Sequence, residues 1–498
     1  MAQQNEELEM LKPYKIPAVL LFVTVALLAA GEIATGTRPL FALFAAGTLI
    51  SIGITYNVLG GVSTIGGIAF AGFASCTIVI SQFAKVILME AADKTLESPE
   101  LTIKVYFVFY FCAMVGCFVY SRLRARLPRP LEPKTSAQAQ LQYGISVCIG
   151  LAANLAYEIY ESSPNPEQRA STAHSLGLAF SVLLLFSLVL AVQGKIRTTQ
   201  GRHSFGIKAF VPWFATVFFG FIETSRSHMM LSSVVYLFTC YASGYRFRRK
   251  HYLAAAAGVA VFAFVISPFE IYARGPMKQL EFRDRISESV LLVAALPDWS
   301  VVKEPSSAGV DSGSREEYYE RPGTFVLSRL SAIRADSNMI NACAGGYHYG
   351  FTALKMDFLR SLPRFISKNK PDTDGAEFTG RVTGINADEV ENGEFLITAV
   401  SDSYGAFGWL GVIVVSLFAF PSAFILYESM FDMRQPWGIV AAGAFCFQFS
   451  QANLGTLMGL AVRAPLAILL MSYFIGVIVR MIPVQGDEML SVEHAEAN

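Results

Sequence analysis

Long apolar runs, each close to the roughly 20 residues that carry a helix across a bilayer, alternate along this chain with short polar connections. Twelve such runs predict twelve spans, at residues 16–33, 40–56, 64–84, 101–121, 143–160, 175–194, 205–222, 229–244, 252–272, 397–426, 437–454 and 464–482. One long stretch, residues 273–396, breaks the rhythm. It contains "ISESVLLVAALP", apolar but too short to span, which suits a membrane surface. "PSSAGVDSGSREEYYERPG" follows, and its Ser, Gly, Pro and charge content reads as flexible surface. Beyond it, Val326, Leu330, Ile333 and Ile340 have the spacing of one helix face, and "FTALKMDFLRSLP" predicts a second helix ended by Pro363. The pattern therefore predicts an all-α polytopic membrane protein in three parts: a bundle of nine spans over 1–272, a large loop with short helices over 273–396, and three spans with a short tail over 397–498.

Composition agrees: 53% of the 498 residues are hydrophobic and 16% charged, against about 25% charged in soluble domains. The formal net charge is zero, which gives no reason to expect a nucleic acid partner. The distribution of charge says more. If the N-terminus is cytoplasmic, 17 Lys and Arg fall in inside connections and 7 in short outside ones, so the positive-inside rule puts both termini in the cytoplasm and the large loop outside. "MAQQNEELEMLKPYK" is acidic where a signal peptide is basic, and the first span reads as a retained anchor. Six cysteines fall in predicted spans and Cys343 alone in the loop, so no disulfide staples the loop to itself. No Cys and His cluster suggests zinc, and no cofactor is expected.

Candidate chemistry lies at the outer face. Arg329 and Asp336 are two turns apart and share one side of the first loop helix, while Arg334 points elsewhere. Arg360, Arg364, Lys368, Lys370 and Arg381 follow. Guanidinium groups beside a membrane suit phosphate or pyrophosphate through forked, charge-assisted hydrogen bonds; on the residues alone, solvated loop charge or head-group contact is the simpler account. His348, in a Tyr-His-Tyr triplet, is either a base with a near-neutral pKa or a surface histidine in an aromatic turn. Asp402 and Tyr404 stand in "SDSYGAFGWLG" at the outer start of span ten, where a carboxylate costs little. Glu32, Glu158, Glu223 and Glu270 also sit near outer ends. "DTD", Asp372–Asp374, has the Asp-x-Asp form of a metal-holding motif, but such triplets are common in polar loops. "GVSTIGGIAFAG" has the small-residue spacing of close helix packing.

Four stretches carry a resemblance: "YNVLGGVST", "SRLSAIRADSNMI", "LPRFISKNKP" and "SDSYGAFGWLG", together with Arg334 and Gly345 as an arginine, ten residues, glycine pattern. With about a dozen spans and one late external loop, the chain resembles the Wzy-type oligosaccharide repeat-unit polymerases of O-antigen and exopolysaccharide assembly. Where relatives often carry Glu, this chain has Asp402. The resemblance implies a fold like the class C glycosyltransferases and a site on the periplasmic face of the bacterial inner membrane, working without nucleotide or metal. It implies transfer of a growing glycan from undecaprenyl pyrophosphate to another lipid-linked repeat unit, with membrane lipid and a chain-length regulator as further partners. Arg329, Arg334, Arg360, Arg364 and Arg381, with Tyr404, would then bind the pyrophosphate, and His348 or Asp402 would receive the acceptor proton. Two rivals stand beside it. An O-antigen ligase differs only in its acceptor, and a lipid-linked oligosaccharide transporter fits the span count, although no internally repeated halves are evident.

Overall fold

The computed structural model describes residues 15–123, 127–133, 135–163, 172–223, 225–261, 266, 280, 282–295, 332–362, 397–450 and 452–482. Among these residues there is no strand; every regular element is helical. The helices are α1 Ala18–Ala34, α2 Pro39–Leu59, α3 Ile65–Ile87, α4 Pro99–Tyr120, α5 Ser136–Glu161, α6 Thr172–Thr198, α7 Ile207–Ile222, α8 Arg226–Ala242, α9 Arg249–Val261, α10 Phe282–Ala295, α11 Ile333–Cys343, α12 Phe351–Ser361, α13 Ala399–Met430, α14 Pro436–Phe449 and α15 Leu454–Met481.

Six stretches among the described residues are long and apolar enough to cross a membrane: α2, α3, α4, Leu176–Thr198 of α6, α13 and α15. Apolar side chains such as Leu27, Leu43, Val119, Leu410 and Leu470 stand exposed on their helices. Water would penalise such surface, and lipid accommodates it, so the chain has the build of an α-helical membrane protein. Four predicted spans are shorter apolar helices, namely α1, α7, His228–Ala242 of α8, and α14. The fifth predicted span is α5, 26 residues long but more polar. The ninth is described only as α9, and most of residues 262–272 lie outside the described residues. The twelfth starts about three turns early, at Leu454, with Pro465 inside the helix.

Contacts divide the chain into two units. Unit 1 holds α1 to α4, α11, α12, α13, the end of α14 from Phe445 and the start of α15 to Pro465. Its centre is aromatic. Phe420 meets Phe73 and Phe109 edge-on, both at 5.0 Å between ring centroids, and Phe449 at 4.9 Å. Ring pairs in this geometry add to the stabilisation from buried area. A π-helical turn interrupts α3 at Ser75–Val79 and another interrupts α13 at Val415–Ala419. A side chain at Gly116 would meet the Leu417 carbonyl oxygen and Pro421, so glycine is what lets α4 approach α13 there.

Unit 2 holds α5 to α10, the start of α14 and the end of α15. Phe186 stacks on Trp437 at 3.8 Å, and Leu184, Ala215 and Phe219 form a small core with Leu151 against it. The surface stretch of the loop is helical as α10, which starts at Phe282. The second loop helix is α12, ending one residue before Leu362 and two before Pro363. The first begins only at Ile333; Val326, Leu330 and Arg329 lie outside the described residues.

Candidate functional site

The described part of the loop in unit 1 is built around two buried carboxylates. On α11, Ile333, Asp336, Ser337, Met339, Ile340 and Cys343 are buried, the 3–4 spacing of one helix face. Arg334 is on the opposite, exposed side. Asp336 is fully buried, and both of its oxygens are filled. Oδ1 accepts the Thr398 backbone N–H at 2.9 Å and the Ser401 hydroxyl at 2.5 Å. Oδ2 accepts the Thr398 hydroxyl at 2.6 Å and the Tyr106 hydroxyl at 2.5 Å. Thr398 is also the N-cap of α13, so the carboxylate sits where a helix start favours negative charge. Burial lifts Asp336 above the usual carboxylate range, against the pull of the donors from Ser401, Thr398 and Tyr106. The neighbouring Ser337 hydroxyl accepts from Thr102 at 3.1 Å, and Asn341 donates to Glu97 at 2.9 Å. Thus α11 is tied to α4 and to the start of α13 through hydrogen bonds that no disulfide assists. Burial also pushes the Cys343 thiol up to about 11, which makes it a poor nucleophile.

The second carboxylate is Asp402. Its Oδ2 accepts the Leu454 N–H at 2.8 Å, and its Oδ1 accepts from the Tyr349 hydroxyl, which also donates to the Asp402 carbonyl at 2.8 Å. The segment after α11 lies along α13: the N–H groups of Tyr349 and Gly350 donate to the carbonyls of Gly405 and Ala406 at 3.2 and 3.0 Å. Those carbonyls are available because α13 is broken just beyond them. Phe407 has φ −142° and Gly408 has φ +60° with ψ −142°, a conformation essentially reserved for glycine. Phe351 packs edge-on to Phe407 at 4.6 Å, covering one side of the break.

His348 occupies the other side. It is exposed, lies edge-on to the Tyr404 ring at 5.8 Å, and would be the first side chain met by a methyl group at Gly408. Tyr404 in turn meets Trp409 edge-on at 5.7 Å. The break in α13 therefore displays an imidazole from the anchored loop, backed by the buried Tyr404 ring of the helix.

The predicted site residues are thus placed unevenly. His348 and Tyr404 are brought together. Arg334 is exposed on α11, whose far face is held by Asp336. Asp402 is turned inward with both side-chain oxygens bonded. Arg360 is in the last turn of α12, but its side chain lies outside the described residues, as do Arg329, Arg364, Arg381, Lys368, Lys370 and Asp372–Asp374. Among the described residues no three His, Cys, Asp or Glu side chains gather as metal ligands. Sequence reasoning took Asp336 only as a marker of helix face and passed over Tyr106, Tyr349, Thr398 and Ser401. A threonine three residues before "SDS" carried a helix-start signal, but its carboxylate partner lies 62 residues upstream. Comparison with known families, with characterised proteins and with solved structures gave no match, so the site is read from its own residues.

Proposed function

We propose that the chain is a polysaccharide polymerase of the bacterial inner membrane, a metal-independent glycosyltransferase whose donor is a glycan on undecaprenyl pyrophosphate and whose acceptor is another lipid-linked repeat unit. The observation that carries this reading is the anchored segment of residues 333–350. It presents an exposed guanidinium and an exposed imidazole while its inward face is fixed by Asp336 and Asp402. The resemblance to Wzy-type polymerases, the twelve-span reading with both termini inside, and the 17-to-7 charge asymmetry support it, together with the proposed periplasmic position of the segment.

In this reaction the anomeric C–O bond to pyrophosphate breaks as the acceptor hydroxyl oxygen bonds to that carbon. The electron pair leaves with the pyrophosphate. Arg334 offers it a planar fork of donors that a preorganised helix holds in place, with Arg329, Arg360, Arg364 and Arg381 as further basic groups of the loop. The hydroxyl proton goes to His348, because an imidazole can serve as a general base. We assign Asp402 to anchoring rather than to proton transfer, since its oxygens are already occupied by Tyr349 and Leu454. Tyr404 supports the imidazole and lines the break.

The test is the surface glycan of a strain lacking the chain. Single repeat units left on lipid or core mark a polymerase; free, unattached polymer marks a ligase. Loss of both single repeats and polymer from the surface marks the transporter class, and unchanged surface glycan removes all three readings.

A further inference from the structure

A second group of ionisable side chains lies in unit 2, far along the chain from the residues above. The buried residues of α5 are Gln142, Ser146, Gly150, Asn154 and Glu158, four apart and therefore one stripe on one face. In a helix of the membrane class this is an inverted pattern, polar inside. The stripe ends at Glu158, which is 1% exposed and whose Oε2 has no hydrogen-bond partner among the described residues. A buried oxygen of that kind is costly and calls for an explanation.

Its surroundings supply one. Just past α7, Glu223 accepts from the Tyr157 hydroxyl at 3.4 Å and is paired through its other oxygen with Nδ1 of His228 on α8. On α6, His174 pairs with Glu161 at 2.8 Å and stacks on Tyr157 at 4.8 Å. From α10 comes Arg285, a buried arginine whose Nε donates to the Leu280 carbonyl at 2.9 Å. It lies within electrostatic reach of both Glu158 and Glu223. Among the described residues, the cluster about Glu158 thus draws Tyr157 and Glu161 from its own helix, His174 from α6, Glu223 from just past α7, His228 from α8 and Arg285 from α10.

We propose that this cluster is a proton-binding site, with the unpartnered oxygen of Glu158 as the acceptor, and that its occupancy decides whether α10 stays seated through Arg285. When Glu158 and Glu223 are both ionised, Arg285 lies near two negative charges and is held. A proton on Glu158 removes one of them, and a second on His228 adds a positive charge to the same pocket. Acidification therefore releases α10. Glu223 is the wrong place for the first proton: burial works against its charge, but the hydrogen bond and charge of His228 hold it below the usual carboxylate range. Glu158 has no such donor on Oε2.

The experiment uses the full chain in lipid nanodiscs, with exposed Cys148 and half-buried Cys76 and Cys112 replaced by alanine. Spin labels go at two exposed positions, Ser287→Cys on α10 and Leu176→Cys near the start of α6, beside the cluster. Distances are compared between about pH 9.5 and about pH 5, a range that begins above the titration of a carboxyl raised by burial and ends below that of an ordinary histidine. The expected result is one short distance at the high end and a growing longer one as pH falls. Glu158→Gln, which removes the acceptor and a negative charge beside His228, should populate the longer distance already at the high end and leave only the His228 step, its midpoint lower by about one unit, the scale of a strongly felt neighbouring charge, and Arg285→Gln should give the longer distance throughout. Arg285→Lys, which keeps the charge, should restore the titration and separates release of α10 from misfolding. A wild-type distance that does not change with pH, or a Glu158→Gln titration that coincides with wild type, overturns the proposal.

Discussion

Asp336 and Glu158 are both carboxylates buried in helical bundles, and they are treated in opposite ways. Asp336 receives four donors from three residues, whereas Glu158 has an oxygen with no donor among the described residues. A charge satisfied on all sides fixes geometry, because any displacement breaks several strong bonds at once. One left partly unsatisfied is held close to a change of protonation. The first suits a scaffold that presents Arg334 and His348; the second suits a switch.

The largest effect should come from Asp336→Ala. It orphans the Thr398 N–H and the hydroxyls of Ser401 and Tyr106 in a dry pocket, and breaking a buried charged network by removing one member costs about 3–5 kcal/mol. We expect a fall in thermal stability large enough to lose the monodisperse peak in fluorescence-detected chromatography. A peak and melting curve like wild type would mean that α11 is held by its apolar face alone and that Asp336 is no scaffold.

Next comes Arg334→Lys, which separates presentation from stability. The side chain is exposed, so the protein should insert and melt as wild type does. Lysine keeps the charge but cannot reproduce the forked pair of hydrogen bonds. Polymer formation from purified lipid-linked repeat units should then fall on the order of 100- to 1,000-fold. Wild-type chain lengths would return Arg334 to the account in which it is solvated loop charge.

How far this arrangement was legible in the sequence depends on the range of the interaction that produces it. Apolar runs mark α2, α3, α4 and α13 to within a few residues at most ends, because burial in lipid or core is written locally. Pro363 marks the end of α12 for the same reason. Local reading fails at the start of α15, where residues 455–463, with Gly455, Gly459 and Arg463, fall between the predicted spans; the helix runs on through them from Leu454 for 28 residues. At α5 local reading marks the helix as span five but not the inward polar face of Gln142, Ser146, Asn154 and Glu158. The anchors of the site were hidden for another reason. Thr398 and Ser401 meet Asp336 across more than 60 residues, and no periodicity carries a partner at that distance. "SDSYGAFGWLG" was read as a site, but its break at Phe407 and Gly408 follows from tertiary contacts with residues 348–351.

A smaller effect is expected at that break. Gly408 has a backbone conformation that other residues adopt only under strain, at about 1–3 kcal/mol, and a methyl group there would press on the His348 ring. Gly408→Ala should lower the melting temperature modestly and reduce polymer yield more than stability alone explains, because it displaces the imidazole. Equal losses in Gly408→Ala and in an equally destabilised core variant would deny His348 a role in the chemistry.

The smallest effect, and the one that tests the comparison most directly, is Glu158→Gln. The amide has the shape of the acid, so no cavity forms. It removes a buried charge whose Oε2 has no donor among the described residues, which favours the folded state, and removes an electrostatic partner of Arg285, which opposes it. The two terms offset, so the bundle should melt within about 1 kcal/mol of wild type, the range in which a single uncharged hydrogen bond counts. Asp336→Asn, the matching change in unit 1, puts an NH2 group where only acceptors are wanted. One donor among Thr398, Ser401 and Tyr106 then faces another donor, at about 1–3 kcal/mol. Melting curves of the two isosteric variants, measured side by side, should therefore separate clearly. Equal destabilisation would mean that Glu158 is as fully bonded as Asp336 and that both carboxylates are scaffold.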